Sequence, residues 1–160
     1  MSYRIDIQMN PEMERLMEMF SQGITEPAQR TIVGISSLIR NGAKRNLKEK
    51  VYSRKVPWKR TGALRQSVTS VTGKLTSTVQ VGKEYGRFIE EGTQEHIIEA
   101  KSGKTLSWES GGVRHFAKYV IHPGTKPYPF FEPAVLKGQQ EAGRIARTEM
   151  MKYLYKKSSN

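Results

Sequence analysis

The segment HPGTKPYPFFEP, residues 122–133, constrains the fold more than any other stretch of the chain. Four prolines and one glycine surround two adjacent phenylalanines, Phe130 and Phe131. Because proline fixes φ and lacks a backbone N–H, little of this segment can be central strand or helix interior. Residues that precede proline are also restricted to extended conformations. We call residues 122–133 the strap, and its sequence predicts a rigid connection that ends in large apolar side chains.

Composition sets the class of protein and of partner. The chain has 160 residues, which favours a single domain over residues 1–160. Its 27 lysines and arginines exceed 15 acidic residues, and the net charge of +12 favours polyanionic or acidic partners. Without cysteine there is no disulfide, thiolate metal site or thiol nucleophile, which fits a reducing cytosol. The N-terminus does not resemble a signal peptide, and no apolar run approaches the roughly 20 residues needed to span a membrane.

The N-terminal half of the sequence predicts one strand and two helices. Residues 3–9 alternate apolar and polar side chains, which is typical of a half-buried strand. Asn10 and Pro11 favour a helix start, and this helix should end near Gly23. An apolar stripe then predicts a long helix over residues 26–50, capped by Thr25. At 1.5 Å per residue this helix would be roughly 37 Å long.

The C-terminal half predicts strands followed by a helix. Residues 66–72 and 75–81 read as a tight hairpin. Tyr85, Phe88 and Ile89 should share one face of a short helical turn that ends at Gly92. Three further strand-like runs lead into the strap, and a helix should begin near Pro133 and leave residues 156–160 as a flexible tail. The expected fold is therefore α+β, with an antiparallel sheet packed against the long helix and the C-terminal helix.

The acidic residues do not form a recognisable metal or catalytic motif. Asp6 is the only aspartate, whereas two-metal sites usually draw on several carboxylates. A cluster of four glutamates reads most simply as a solvated acidic edge. Its members are Glu90, Glu91, Glu95 and Glu99.

The other residues with catalytic potential are equally unpatterned. His96, His115 and His122 lack metal-type spacing, although a two-histidine site formed across strands stays open. No serine lies in a nucleophile elbow, and no phosphate-binding loop is present. We therefore expect no enzyme activity, no catalytic or metal residues, no cofactor and no small-molecule substrate.

Charge is strongly segregated along the chain. Residues 40–65 hold ten basic residues and one acidic residue, a net charge of +9, whereas residues 83–99 hold two basic and five acidic residues, a net charge of −3. The basic segment could contact nucleic-acid phosphates, or it could meet an acidic edge of another protein. The candidate contacts for DNA or an acidic partner are Lys44, Arg45, Lys48, Arg54, Lys55 and Lys59.

Three blocks occur in a fixed order between residues 56 and 134: VPWKRTGALRQSV, EYGRFIEEGT and HPGTKPYPFFEPA. Together they resemble the head–tail joining, or tail-completion, proteins of long-tailed bacteriophages, which belong to the neck and minor-tail proteins. The chain departs from the family pattern at Glu91, where an apolar or aromatic residue is more usual. The positions that carry the resemblance include Thr61, Gly62, Leu64, Arg65, Tyr85, Glu90, Gly92, Thr93, Pro123, Gly124, Pro129, Phe130 and Pro133.

The resemblance implies a structural protein of the virion neck, without enzyme activity. Such proteins form a ring, usually of six copies, between the portal complex and the tail tube, and the genome passes through it. The implied partners are further copies of the chain, a portal-side adaptor or stopper, the tail-tube protein and genomic DNA in the channel. Assembly would take place in the cytoplasm of the host bacterium. The alternative function is a basic nucleic-acid-binding module that uses residues 40–65.

The resemblance also suggests which residues meet between subunits. A ring needs two different patches on each subunit, so we expect Arg60 and Arg65 to face Glu90 and Glu91 of a neighbour. The strap phenylalanines could fill pockets of a neighbour or close the core of their own subunit. We expect one residue of each kind, with Phe131 in the core because it lies nearer the start of the last helix.

Overall fold

The computed structural model describes residues 3–8, 24–48 and 61–159. Within these ranges the chain is α+β, as the sequence predicts. The helices are α1 (Thr25–Asn46), α2 (Ala63–Gln66), α3 (Gly86–Glu90) and α4 (Glu132–Ser158). The strands are β1 (Tyr3–Gln8), β2 (Val68–Thr72), β3 (Thr76–Val81), β4 (His96–Glu99), β5 (Leu106–Ser110), β6 (Val113–Ala117) and β7 (Tyr119–His122). The helix expected between Pro11 and Gly23 lies outside the described residues.

A three-stranded antiparallel sheet in the order β1-β3-β2 forms one side of the body. The alternation expected on β3 is confirmed, since Ser77, Val79 and Val81 are buried. The hairpin of β2 and β3 differs from the expected one at both ends. Gln66 belongs to α2, and the Gly73 N–H donates to the Thr76 carbonyl at 2.8 Å, so the two turn residues are Lys74 and Leu75, one position later than expected.

Helix α1 packs its apolar stripe against this sheet. Ile32, Ile39 and Ala43 are buried on that stripe, as the helical spacing predicts. The helix begins one residue earlier than expected, because Ile24 and not Thr25 is the N-cap. It ends at Asn46 and continues as a π-type turn at residues 47–48; the predicted end near Lys50 lies outside the described residues.

Helix α4 packs along α1, so that α1 lies against both α4 and the sheet. Small residues allow the close approach: Gly42 of α1 faces Ala134, and a side chain at Gly138 of α4 would overlap Ile39. Helix α4 continues to Ser158, so residues 156–158 are helical where the sequence predicts a tail. No helix within the described ranges is long and apolar enough to cross a membrane.

Both strap phenylalanines belong to the core of this subunit. Phe130 and Phe131 are 0% and 1% exposed, and their rings meet edge to face with centroids 6.4 Å apart. They pack with buried residues of α1, α2 and the sheet. The expectation that one of them anchors a neighbouring subunit is therefore wrong, because both rings are already enclosed by their own chain.

Strands β4 to β7 do not join the three-stranded sheet. They form a separate long hairpin, in which β4 pairs with β7 and β5 pairs with β6. Gly111 and Gly112 close its tip with positive φ values of 60° and 79°, as a tight two-residue turn requires. The strand-like run RHFAKYVI is divided at Lys118, whose carbonyl accepts the Ala100 N–H at 2.8 Å. We call this hairpin, residues 96–122, the arm.

Replacing either buried phenylalanine should destabilise the isolated subunit. Phe130→Ala and Phe131→Ala each remove a fully buried ring, so the free energy of unfolding should fall by roughly 3–5 kcal/mol and the melting temperature by about 10 °C. Thermal melting followed by circular dichroism measures the change. Phe88→Ala is the matched control, because Phe88 is 56% exposed and its loss should change stability by less than about 0.5 kcal/mol. An unchanged melt of either core variant would contradict the burial of that ring.

Candidate functional site

The buried side chain of Glu90 is the centre of a site that joins α3, the strap and α4. The residue is 6% exposed, and its carboxylate accepts three backbone hydrogen bonds from the end of the strap and the start of α4. The donors are the N–H groups of Phe130 at 2.8 Å, Phe131 at 3.0 Å and Glu132 at 2.9 Å. The prediction that Glu90 lies on a solvated acidic edge is therefore wrong.

The start of α4 explains why this carboxylate is needed. The first N–H groups of a helix lack intrahelical acceptors, and a side chain at the N-cap usually supplies one. Here the N-cap is Phe131, which has no polar side chain. Pro133 has no N–H, and the N–H groups of Ala134 and Val135 bond back to the Phe131 carbonyl. Glu90 supplies the missing acceptor from α3, and its negative charge is favourable at a helix N-terminus.

The residues after Glu90 pair directly with the strap. Thr93 and Thr125 form an isolated antiparallel bridge, with both N–H···O bonds at 3.0 Å. On either side of it, Gly92 and Gly124 have φ values of 75° and 81°. A Cβ at Gly92 would collide with the Thr125 carbonyl, and one at Gly124 would collide with the Thr93 carbonyl. Only glycine combines this conformation with so close an approach of two backbones.

Further contacts hold the end of the strap on two sides. The Tyr128 N–H donates to the Ile89 carbonyl at 2.8 Å. From α1, the Asn46 side-chain amide donates to the Phe130 carbonyl at 2.9 Å. The strap is therefore fixed by α3 and α1 before it enters α4, which directs both phenylalanine rings into the core.

The described part of the first sequence block packs beside α3 and the end of the strap. Gly62 starts α2 with a φ of 72°, and the Ala63 N–H donates to the Thr61 hydroxyl at 3.3 Å. The buried side chain of Leu64 then lies against Gly86 of α3. Gly86 also faces Phe130, and a Cβ there would be crowded by Leu64. All three sequence blocks therefore meet around α3 and the end of the strap.

Not every position of the blocks is buried in this cluster. Tyr85, the N-cap of α3, is exposed, and Pro123 is also exposed. Pro129 and Pro133 are half-buried, and Arg65 lies exposed in the last turn of α2. The prediction of a shared face on α3 is wrong for Ile89, which packs against the core while Tyr85 and Phe88 point outward.

The prediction that Glu90 forms a charge pair with a neighbouring subunit is wrong. A buried carboxylate that accepts three N–H bonds cannot face a neighbour. Glu91 is exposed and pairs with Arg87 of α3 at 2.8 Å, and Arg60 lies outside the described residues. The acidic surface of this region is therefore carried by Glu84, Glu91, Glu95 and Glu99, not by Glu90.

The described part of the basic segment follows one helix. Arg40, Lys44 and Lys48 succeed one another at four-residue steps along α1 and its final turn, with Arg45 beside them. Arg40 donates to the Ser70 hydroxyl on β2 at 3.0 Å. The other candidate contacts lie outside the described residues, namely Arg54, Lys55 and Lys59, as do Lys50 and Arg60 of the same basic segment.

Two of the three histidines meet at the base of the arm. His96 and His122 face each other across β4 and β7 with ring centroids 5.1 Å apart. His115 instead stacks on Trp108 near the tip of the arm, at 5.4 Å. Across residues 3–8, 24–48 and 61–159, no group of three His, Cys, Asp or Glu side chains could hold a metal ion.

An open groove of about 900 Å³ lies beside α3 and the base of the arm. The outward-facing Tyr85 and Phe88 form its aromatic wall, Glu91 and Glu95 add acidic groups, and the histidine pair borders it. Sequence reasoning did not find this groove, since it placed Tyr85 and Phe88 on one face with Ile89, which instead packs against the core.

Comparison with known proteins adds no relative. No protein-family model, curated protein or solved structure matches the chain.

Glu90→Gln should destabilise the subunit much more than the same change next to it. Glutamine keeps one acceptor oxygen but replaces the second with an NH2 group that opposes backbone donors, and it removes the charge. The free energy of unfolding should fall by about 2–3 kcal/mol, measured by urea denaturation. Glu91→Gln is the control, because an exposed ion pair contributes less than about 1 kcal/mol. Equal effects of the two substitutions would show that the cap does not stabilise the fold.

Gly92→Ala should cost more than an alanine at another glycine of similar conformation. Gly103 in the arm has a φ of 73° and open space where a Cβ would lie, whereas Gly92 faces the Thr125 carbonyl. Gly103→Ala should therefore cost only about 1 kcal/mol for the left-handed conformation, and Gly92→Ala about 3 kcal/mol or more because a steric clash is added. Chemical denaturation of both variants measures the difference, and similar values would argue against the close backbone approach.

Proposed function

We propose that this chain is a structural protein of the neck of a long-tailed bacteriophage. In this proposal it forms a ring that joins the portal or connector complex to the tail tube and lets DNA pass. The observation that carries the proposal is the convergence of the three sequence blocks. The blocks are separate in the sequence, and only their combination resembles the joining family. Together they supply the cap, the glycine contact and the core of one site.

The chemistry of that site favours a structural role. Both oxygens of Glu90 accept backbone N–H groups, so this carboxylate is committed to holding α4 in place. The paired glycines and the buried phenylalanines likewise join segments of chain. We therefore assign the cluster to the rigidity of a subunit that must keep its shape within an assembly.

The partners in this proposal follow from the neck position. The subunit would contact further copies of itself in a ring of six, a portal-side adaptor or stopper on one side and the tail-tube protein on the other. Genomic DNA would pass through the channel. The protein would assemble in the host bacterial cytoplasm and reside in the virion.

A nucleic-acid-binding module is the second candidate, and the basic row on α1 is the observation that favours it. Arg40, Lys44 and Lys48 could follow a phosphate backbone at four-residue spacing. The same residues also lie near the C-terminus of α1, where positive charge stabilises the helix dipole. Only Lys44 and Arg45 belong to the last turn of α1, where positive charge interacts with the helix dipole. The basic row is therefore longer than stabilisation of the helix end requires.

The purified protein should form rings with a central channel. Native mass spectrometry and negative-stain electron microscopy, alone and with the tail-tube protein of the same genome, measure this. The alternative predicts a protein that does not form rings and that binds duplex DNA with steep salt dependence. With six or more phosphate contacts, affinity should then fall by about 10³-fold or more between 50 and 200 mM salt. Lys44→Glu with Lys48→Glu should abolish that binding, and this combination of results would overturn the proposed function.

A further inference from the structure

The arm presents apolar surface that nothing in the described structure covers. Leu106, Trp108 and Val113 lie on one face of β5 and β6, since the register pairs Trp108 with His115 and Ser110 with Val113. Trp108 and Val113 are exposed, and no other described helix or strand packs extensively on these two strands. A two-stranded ribbon is marginally stable in water unless its apolar face is packed. The outer half of the arm therefore lacks the partner that such a ribbon normally needs.

The groove beside α3 has a net charge opposite to that of the outer part of the arm, and both surfaces expose apolar side chains. Between residues 84 and 95, leaving out the buried Glu90, three glutamates oppose one arginine, a net charge of −2. Between residues 101 and 118 of the arm, four basic residues oppose one glutamate, a net charge of +3. Tyr85 and Phe88 add exposed aromatic surface to the groove. An apolar, basic tip and an aromatic, acidic groove are complementary surfaces.

The tip of the arm and the groove are at opposite ends of one element. His96 and His122 border the groove and are also the first and last residues of the arm. From His96 to Ser110 the hairpin extends by roughly 40 Å at about 3.3 Å per residue, allowing for the irregular loop after β4. No residue of β5 or β6 lines the groove of its own subunit, and these strands have no extensive packing on α3.

We infer that the tip of the arm seats in the groove beside α3 of a second copy of the chain. Every copy then donates one arm and accepts one arm through two different patches, which is the arrangement that generates a ring. The inference rests on the proposed function, because the ring supplies the neighbour that accepts the arm. In place of the charge pairing expected between Arg60 and Arg65 and the Glu90 and Glu91 of a neighbour, it offers a contact between two surfaces that the structure describes.

Site-specific cross-linking tests this contact directly. The chain has no cysteine, so Val113→Cys at the tip and Gln94→Cys in the groove introduce the only two thiols. Treatment of the assembled protein with a short bis-maleimide should give a ladder of covalent dimers, trimers and larger species up to the full ring on a denaturing gel. The control pair, Val113→Cys with Gln139→Cys on the exposed side of α4, should give no ladder.

The outcomes separate the inference from the function on which it rests. Rings that form normally but yield no ladder with the tip and groove pair overturn the arm contact and leave the ring proposal intact. A protein that stays monomeric at every concentration, alone and with the tail-tube protein, overturns both.

A second measurement does not depend on cross-linking. Phe88→Ala should weaken self-association by about thirtyfold, as expected for an aromatic residue at the centre of an interface. Analytical ultracentrifugation over a concentration series measures the shift. Val71→Ala is the matched control, because Val71 is an exposed apolar residue of β2 outside both surfaces. Equal association of wild-type protein and Phe88→Ala would overturn the inference.

Discussion

The contact between the Glu90 carboxylate and the N-terminus of α4 is the interaction on which the rest of the described fold depends. It lies between the short helix α3 and the longest of the described helices, and it fixes where the strap ends. Because the strap ends there, Phe130 and Phe131 enter the space between α1 and the sheet. The helix start, the end of the strap and the filling of the core thus meet at one carboxylate with three donors, and the bonds to Ile89 and from Asn46 reinforce it.

The described structure divides into a body and a projection with different physical characters. In the body, small residues allow α1 and α4 to approach, and a continuous apolar core joins helices to the sheet. The arm instead has only its own strand pairing, and most of its side chains are exposed. A rigid body with an unpacked projection is a form suited to assembly, since the projection can gain its packing from a neighbour.

Sequence periodicity predicted much of the body. The stripe of α1 and the alternation of β3 arise from single faces that meet one core, and such patterns are visible in the sequence. The arm was read as part of the sheet because its strands have the same residue preferences, and preference does not specify which strands pair. The prolines of the strap predicted a stiff connection, but stiffness does not specify whether the two phenylalanines face inward or outward. The role of Glu90 could not be deduced from its neighbours in the sequence either, since charge runs usually lie on the surface. One signal was nevertheless present, because the helix that contains Pro133 is preceded by phenylalanine where a polar cap is usual, and an acceptor had to come from elsewhere.

The same cap has a consequence for how the molecule opens. The first turn of a helix normally exchanges its amide hydrogens quickly, since end turns fray without disturbing the remainder of the protein. In this chain, releasing the amides of Phe130, Phe131 and Glu132 requires α3 to separate from the strap and two aromatic rings to leave the core. The beginning of α4 is therefore tied to the cooperative unfolding unit of the body, and its exposed far end is the part of the helix that is free to fray.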